Sequence, residues 1–118
     1  MAGLTTHVLD TTRGRPAAGV AIELHALSPD GARKLIVLTH TNADGRTDAP
    51  LIAPKDAHAG VFELLFHVGA YFRAQGAAVA EPPFLDVVPI RFAISDVKAH
   101  YHVPLVVTPW SYSTYRGS

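Results

Sequence analysis

From residue 4 the chain alternates with period two, as a strand with one buried face does. Leu4, Thr6 and Val8 alternate with Thr5, His7 and Leu9, which predicts a strand over 4–10. A loop over 11–19 follows, punctuated by Gly14, Pro16 and Gly19. Val20, Ile22, Leu24 and Ala26 then face inward, with Glu23 and His25 outward, over 20–27. Ser28-Pro29-Asp30-Gly31 is a turn signal, since proline presets φ and glycine accepts a positive one, and a strand over 33–41 closes the hairpin. The polar stretch 41–48 holds Asp44-Gly45-Arg46-Thr47, a second turn that presents Arg46.

No regular structure is expected over 49–60. Phe62, Leu64, Phe66 and Val68 mark a strand over 60–68, and Gly69 to Gly76 bracket a short helix. After a proline-bearing loop, Val88, Ile90, Phe92 and Ile94 mark a strand over 87–95, with Pro89 pointing to an edge position or a bulge. In the last strand pair, Tyr101, Val103, Leu105 and Val107 face inward, and His100, His102, Pro104 and Val106 outward. Beyond the Thr108-Pro109-Trp110 turn, alternation groups Ser111, Ser113 and Tyr115 on the outer face with His102. The hydroxyl-rich run 111–118 is expected to be tied down rather than frayed.

Roughly seven or eight short strands, each with a single apolar face, indicate an all-β fold, a sandwich of antiparallel sheets packed face to face with one short helix. At 118 residues the chain is expected to form one domain, 1–118. Ten basic and ten acidic residues balance, which gives no footprint for nucleic acid or a membrane surface. The absence of cysteine excludes disulfides, thiolate metal sites and a thiol nucleophile. No run of membrane-spanning length and no signal-peptide core is present, so a cytoplasmic location is expected.

Four separated blocks occur in order: LTTHVLDTTRGRPAAGV, TNADGRT, HYHVPL and SYSTYRGS. Together they resemble the transthyretin-related proteins, and within them the 5-hydroxyisourate hydrolases. The resemblance spans essentially the whole chain. It implies a transthyretin-like sandwich of two four-stranded sheets with a short helix, assembled as a homotetramer. It implies a small-molecule substrate, 5-hydroxyisourate, whose six-membered ring is opened to 2-oxo-4-hydroxy-4-carboxy-5-ureidoimidazoline with no metal or organic cofactor. The sites would lie at the dimer–dimer interface, lined by the C-terminal tetrapeptide. Carried onto this chain, the catalytic residues fall on His7, Arg46, His102 and Ser118. Substrate contacts fall on His7, Arg46, Tyr115, Arg116 and Gly117.

The residues themselves suit that chemistry. Opening an activated acyl–nitrogen bond needs an activated water, a stabiliser for the tetrahedral oxyanion and a proton for the leaving nitrogen. Imidazoles supply base and acid near neutral pH. A guanidinium supplies fixed donors to the oxyanion, and its charge holds a neighbouring imidazole neutral. His25, His40, His58 and His67 are expected to be ordinary strand and loop side chains, and His100 to stand behind the reacting groups. Two rivals remain: a zinc hydrolase on His7, His100 and His102, and an inert carrier of small aromatic ligands.

Overall fold

The computed structural model describes residues 2–117. Its elements in chain order are β1 (Gly3–Thr5), β2 (Val8–Asp10), β3 (Arg15–Pro16), β4 (Ala21–Leu27), β5 (Arg33–His40), a 3-10 turn at Pro54–Asp56, β6 (Gly60–Phe66), α1 (Val68–Ala74), β7 (Val88–Ile94), β8 (His100–His102), β9 (Leu105–Val107) and β10 (Tyr112–Thr114). One sheet runs β5-β4-β6-β7, antiparallel throughout, with the proline-bearing β7 at its edge as expected. The other runs β10-β9-β2-β3, and the β1–β8 pair extends its two central strands.

β1 and β2 are the halves of the strand predicted over 4–10, and β8 and β9 those of the strand over 101–107. Pro104, which has no N–H, falls at the second break. The ladder nevertheless runs through it: Val103 donates to the Thr5 carbonyl and Leu105 to the His7 carbonyl, each at 2.9 Å. Both central pairings are parallel, so this sheet is mixed rather than antiparallel. Parallel strands need a long crossover, and here the crossover is the whole body of the chain between β2 and β8. Two smaller differences concern segments expected to be irregular. Pro16 and Arg15 pair with Leu9 and Asp10 at the sheet edge, where a missing N–H is tolerated. Leu51 and Ile52 are buried, and Ile52 forms a single bridge with Leu4.

The inward residues of the two sheets meet as the alternation required. Leu4, Val8, Leu105 and Val107 pack with Ile22, Leu24, Phe62, Leu64 and Phe66, all essentially inaccessible. Burying each such side chain stabilises the fold by about 1.5–3 kcal/mol. Helix α1 contributes Val68, Tyr71 and Phe72, the i, i+3, i+4 face of a short amphipathic turn. Among the described residues no helix is long and apolar enough to cross a membrane.

The same phase carries Asp10 inward, and it is fully buried. Its Oδ1 accepts from the N–H of Thr12 (3.0 Å) and Arg13 (3.2 Å), and its Oδ2 from the Tyr71 hydroxyl (2.8 Å). Burial, reinforced by the Asp10 charge, pushes the Tyr71 phenol up to about 12. Tyr71→Phe would leave one carboxylate oxygen unpaired in the core. A loss of about 1–3 kcal/mol is expected, read as a lower urea midpoint with an unchanged slope. An unchanged midpoint would show that water replaces the hydroxyl.

The four histidines set aside in the sequence belong to the other sheet and its flanks. His25 and His67 bracket the Glu23 carboxylate at 3.0 and 2.6 Å, and their hydrogen bonds hold its pKa below the usual value. His58 meets Phe62 edge-on, with ring centroids 5.2 Å apart. His40 is exposed at the end of β5.

Candidate active site

The outward face of the mixed sheet is built by register. Parallel pairing sets Gly3 beside His100, Thr5 beside His102 and Leu9 beside Val106. Residues at i and i+2 share a face, so Thr5, His7 and Leu9 form one row and His100, His102 and Val106 the next. Thr5 stands between two imidazoles. Its Oγ1 lies 2.9 Å from Nδ1 of His102 and 3.0 Å from Nε2 of His100. This arrangement commits Nδ1 of His102 to Thr5. Among the described residues Nε2 of His102 makes no hydrogen bond.

His7 is held by the 42–46 loop. Its Nε2–H donates to the Asp44 carbonyl at 2.8 Å, because a carbonyl can only accept. The loop is wound around Asn42, whose Oδ1 accepts from the N–H of Asp44 (2.9 Å) and of Arg46 (3.2 Å). Its tip presses onto β2, where Val8 donates to the Gly45 carbonyl at 2.8 Å. Gly45 has φ +75°, and a Cβ there would stand 2.4 Å from the Val8 carbonyl oxygen. Only glycine meets both demands. The next residue, Arg46, is thereby delivered beside the imidazoles with its side chain exposed.

The electrostatics follow from this crowding. His102 is half-buried, and burial first, then the positive charge of Arg46 and the neighbouring His100 and His7, hold its pKa below the usual histidine value. At neutral pH it is the free base.

The C-terminal segment reaches the same place. β10 pairs with β9, Thr114 donates through Oγ1 to the Pro104 carbonyl at 2.7 Å, and Gly117 then bridges to His102, donating to its carbonyl at 2.7 Å. A Cβ on Gly117 would lie 2.7 Å from Cδ2 of His102. The chain therefore passes flush against the imidazole, which only a residue without a side chain permits.

Of the residues singled out in the sequence, His7, Arg46, His102 and Gly117 come together. Ser118 lies outside the described residues. Tyr115 and Arg116 line a neighbouring hollow with Ile90, Phe92, Tyr101 and Val103, on the inward-facing side of the strands. The Arg116 guanidinium stacks on the Tyr101 ring, 4.0 Å from its centroid, and reaches the His100 carbonyl at 3.5 Å. The alternation that grouped Tyr115 with His102 fails because β10 ends at Thr114 and the extended period ends with it. Thr5 was not singled out, although it shares its phase with His7. Nor do His7, His100 and His102 form a zinc site. Among the described residues no three His, Cys, Asp or Glu side chains are arranged to hold a metal ion, and the facing nitrogens of His100 and His102 are both engaged by Thr5.

A model of the HIUase/Transthyretin family matches residues 4–117. A 5-hydroxyisourate hydrolase of Deinococcus radiodurans is 60% identical over 116 residues, covering 98% of this chain and 96% of that protein. Among solved structures, an (S)-allantoin synthase superposes with a TM-score of 0.91 at 47% identity, over 98% of this chain but only 43% of that one. Transthyretin from Sparus aurata superposes with a TM-score of 0.87 at 30% identity, over 99% of this chain and 97% of that one.

Proposed function

The chain belongs to the HIUase/Transthyretin family, and we propose that it is the hydrolase of that family: an enzyme of urate degradation that opens the six-membered ring of 5-hydroxyisourate. Fold alone does not separate hydrolase from carrier, since transthyretin superposes well. The face does. A carrier of apolar ligands wants an inert lining, whereas this face presents three imidazoles and an exposed guanidinium. The 60% identity to a 5-hydroxyisourate hydrolase points the same way. The observation that carries the reading is His102, anchored through Nδ1 on Thr5 and flush against Gly117, with Arg46 near enough to help hold its pKa below the usual histidine value.

The reaction then runs as follows. Nε2 of His102 takes a proton from water as the water oxygen bonds to the ring carbonyl carbon. Arg46 receives the developing oxyanion with donors whose charge does not titrate away. Collapse of the tetrahedral intermediate breaks the carbon–nitrogen bond, and the proton held by His102 passes to the leaving nitrogen. His7, fixed through Nε2–H, has Nδ1 left as an acceptor, suited to a ring N–H of the substrate. Gly117 fixes one wall of this cleft against His102, and Tyr115 and Arg116 stand beside it in the neighbouring hollow.

The half-buried Leu9 and Val106 on this face give it an apolar component that a further copy of the chain would cover. A homotetramer with sites at the dimer–dimer interface accords with that. The test is the decay of freshly generated 5-hydroxyisourate, followed by ultraviolet absorbance with and without the protein. Acceleration proportional to enzyme concentration is expected. A decay indistinguishable from the spontaneous one would leave the carrier reading in its place.

A further inference from the structure

The outward row of the mixed sheet holds one more group than the hydrolytic scheme uses. A threonine hydroxyl has one proton and two lone pairs. Thr5 Oγ1 meets two imidazole nitrogens at hydrogen-bonding distance, Nδ1 of His102 and Nε2 of His100. One hydroxyl proton cannot be given to both. Where Thr5 donates to His100, it accepts from Nδ1–H of His102, and Nε2 of His102 carries the lone pair. Where it donates to His102, it accepts from Nε2–H of His100, and Nε2 of His102 carries the proton. The two tautomers are thus coupled through one oxygen. The first arrangement makes His102 a base toward the substrate, and the second a donor.

We propose that Thr5 and His100 form a proton relay behind His102, which keeps its Nε2 free to act as the base and carries away the charge that base catalysis creates. Resting on the hydrolase reading, the step balances in this way. Nε2 of His102 takes a proton from water, and the hydroxide so formed bonds to the ring carbonyl carbon. The Nδ1–H bond of His102 breaks, and its proton joins Oγ1 of Thr5. The proton that Oγ1 held passes to Nε2 of His100. His102 ends neutral with a proton on Nε2, Thr5 is unchanged, and the positive charge rests on His100. When His102 gives its Nε2 proton to the leaving nitrogen, the same path runs backward and resets the site.

Geometry gives the relay its direction. His102 lies beside Arg46 and His7, so an imidazolium there is repelled by its neighbours as well as by burial. His100 stands two residues further from the 42–46 loop, roughly 6–7 Å along a strand. The other cation near it, Arg116, is exposed and stacked on Tyr101, where water screens it. Thr5 is therefore a positioning residue. It touches neither substrate nor water in this scheme and acts through His102.

The test reads the tautomer directly. Long-range proton–nitrogen correlation spectra of the labelled protein, taken without substrate, are compared for wild type, Thr5→Val and Thr5→Ser. Valine keeps the β-branched shape that a strand favours and removes only the hydroxyl. Wild type and Thr5→Ser are expected to hold the His102 proton on Nδ1, and Thr5→Val to move it substantially to Nε2. In the turnover assay Thr5→Val is expected to lower kcat by about tenfold or more with KM nearly unchanged, as loss of a proton-transfer partner does. Thr5→Ser should restore it. A His102 tautomer that is the same in Thr5→Val as in wild type overturns the relay, even if 5-hydroxyisourate is turned over. If wild type shows no turnover, the hydrolase reading fails, while the substrate-free spectra still decide whether Thr5 sets the tautomer.

Discussion

Alanine in place of His102 is expected to cut turnover of 5-hydroxyisourate by about 10²-fold or more, since it removes the group proposed as the base that activates water. Stability should fall by only about 1 kcal/mol, the worth of the hydrogen bond to Thr5. The pH profile carries the sharper test. The base works unprotonated, so kcat/KM should be flat where His102 is free and fall tenfold per unit where it is protonated. Burial and Arg46 place that limb below pH 6.5, the ordinary histidine value. Arg46→Gln should then do two separable things. It should lower the plateau, by about 10²-fold for a lost oxyanion donor, and it should shift the limb to higher pH, because a charge that opposed protonation is gone. The fold itself obeys the same linkage. The unfolded chain binds the His102 proton more readily, so stability is lost as pH drops from about 6.5 through the depressed folded value. Near-native turnover in His102→Ala, or a limb that stays in place in Arg46→Gln, would remove His102 from the role of base.

Much of this was legible in the residues because burial in a sheet imposes a period that short strands cannot hide. The phase of Leu4, Thr6 and Val8 put His7 outward, and that of Tyr101, Val103 and Leu105 put His102 outward. Both sit as the alternation required. Alternation carries no direction, however, and turn signals between hairpins favour antiparallel neighbours. The parallel pairing of β1 with β8 and of β2 with β9 depends on how the intervening chain folds back, which no local pattern encodes. That pairing sets Thr5 opposite His102. In the sequence Thr5 is one polar residue in a strand, and its place between two imidazoles exists only in the register. Tyr115 shows the opposite limit. Its phase was read past the point where β10 ends, so it was grouped with His102 but lines the hollow beside Tyr101. Arg46 needed a different kind of reading. Asp-Gly announced the turn, but the Asn42 side chain winds it and the flush contact of Gly45 with β2 docks it.

Deletion of residues 115–118 is expected to abolish most turnover while leaving the fold and the proposed tetramer intact. The deletion removes the hydrogen bond from Gly117 to the His102 carbonyl and the Arg116 guanidinium from the Tyr101 ring. Those contacts are worth about 1 kcal/mol for the hydrogen bond and about 0.5–1 kcal/mol for the exposed cation–π pair. The core stays whole, since Tyr115 and Arg116 are exposed and Tyr101 remains anchored by the N–H groups of Ser95 and Asp96 on its hydroxyl oxygen. A thermal midpoint lower by several degrees is therefore expected, not unfolding. The loss of activity has a local cause. The wall that confines the His102 ring is gone, and the imidazole proposed as the base is freer to turn. Gly117→Ala isolates that cause without shortening the chain. Its methyl group would stand 2.7 Å from Cδ2 of His102, closer than two carbons tolerate, so either the ring or the terminal segment must move. A fall in kcat of about tenfold is expected, the size of a small misplacement of a reacting group, with the midpoint nearly unchanged. Sedimentation separates the remaining possibilities. If the full chain sediments as the proposed tetramer and the truncated chain loses both that state and turnover, the segment acts through assembly. If it keeps the tetramer and loses turnover, the segment acts at His102. Full turnover in the truncated chain would exclude residues 115–118 from the chemistry altogether.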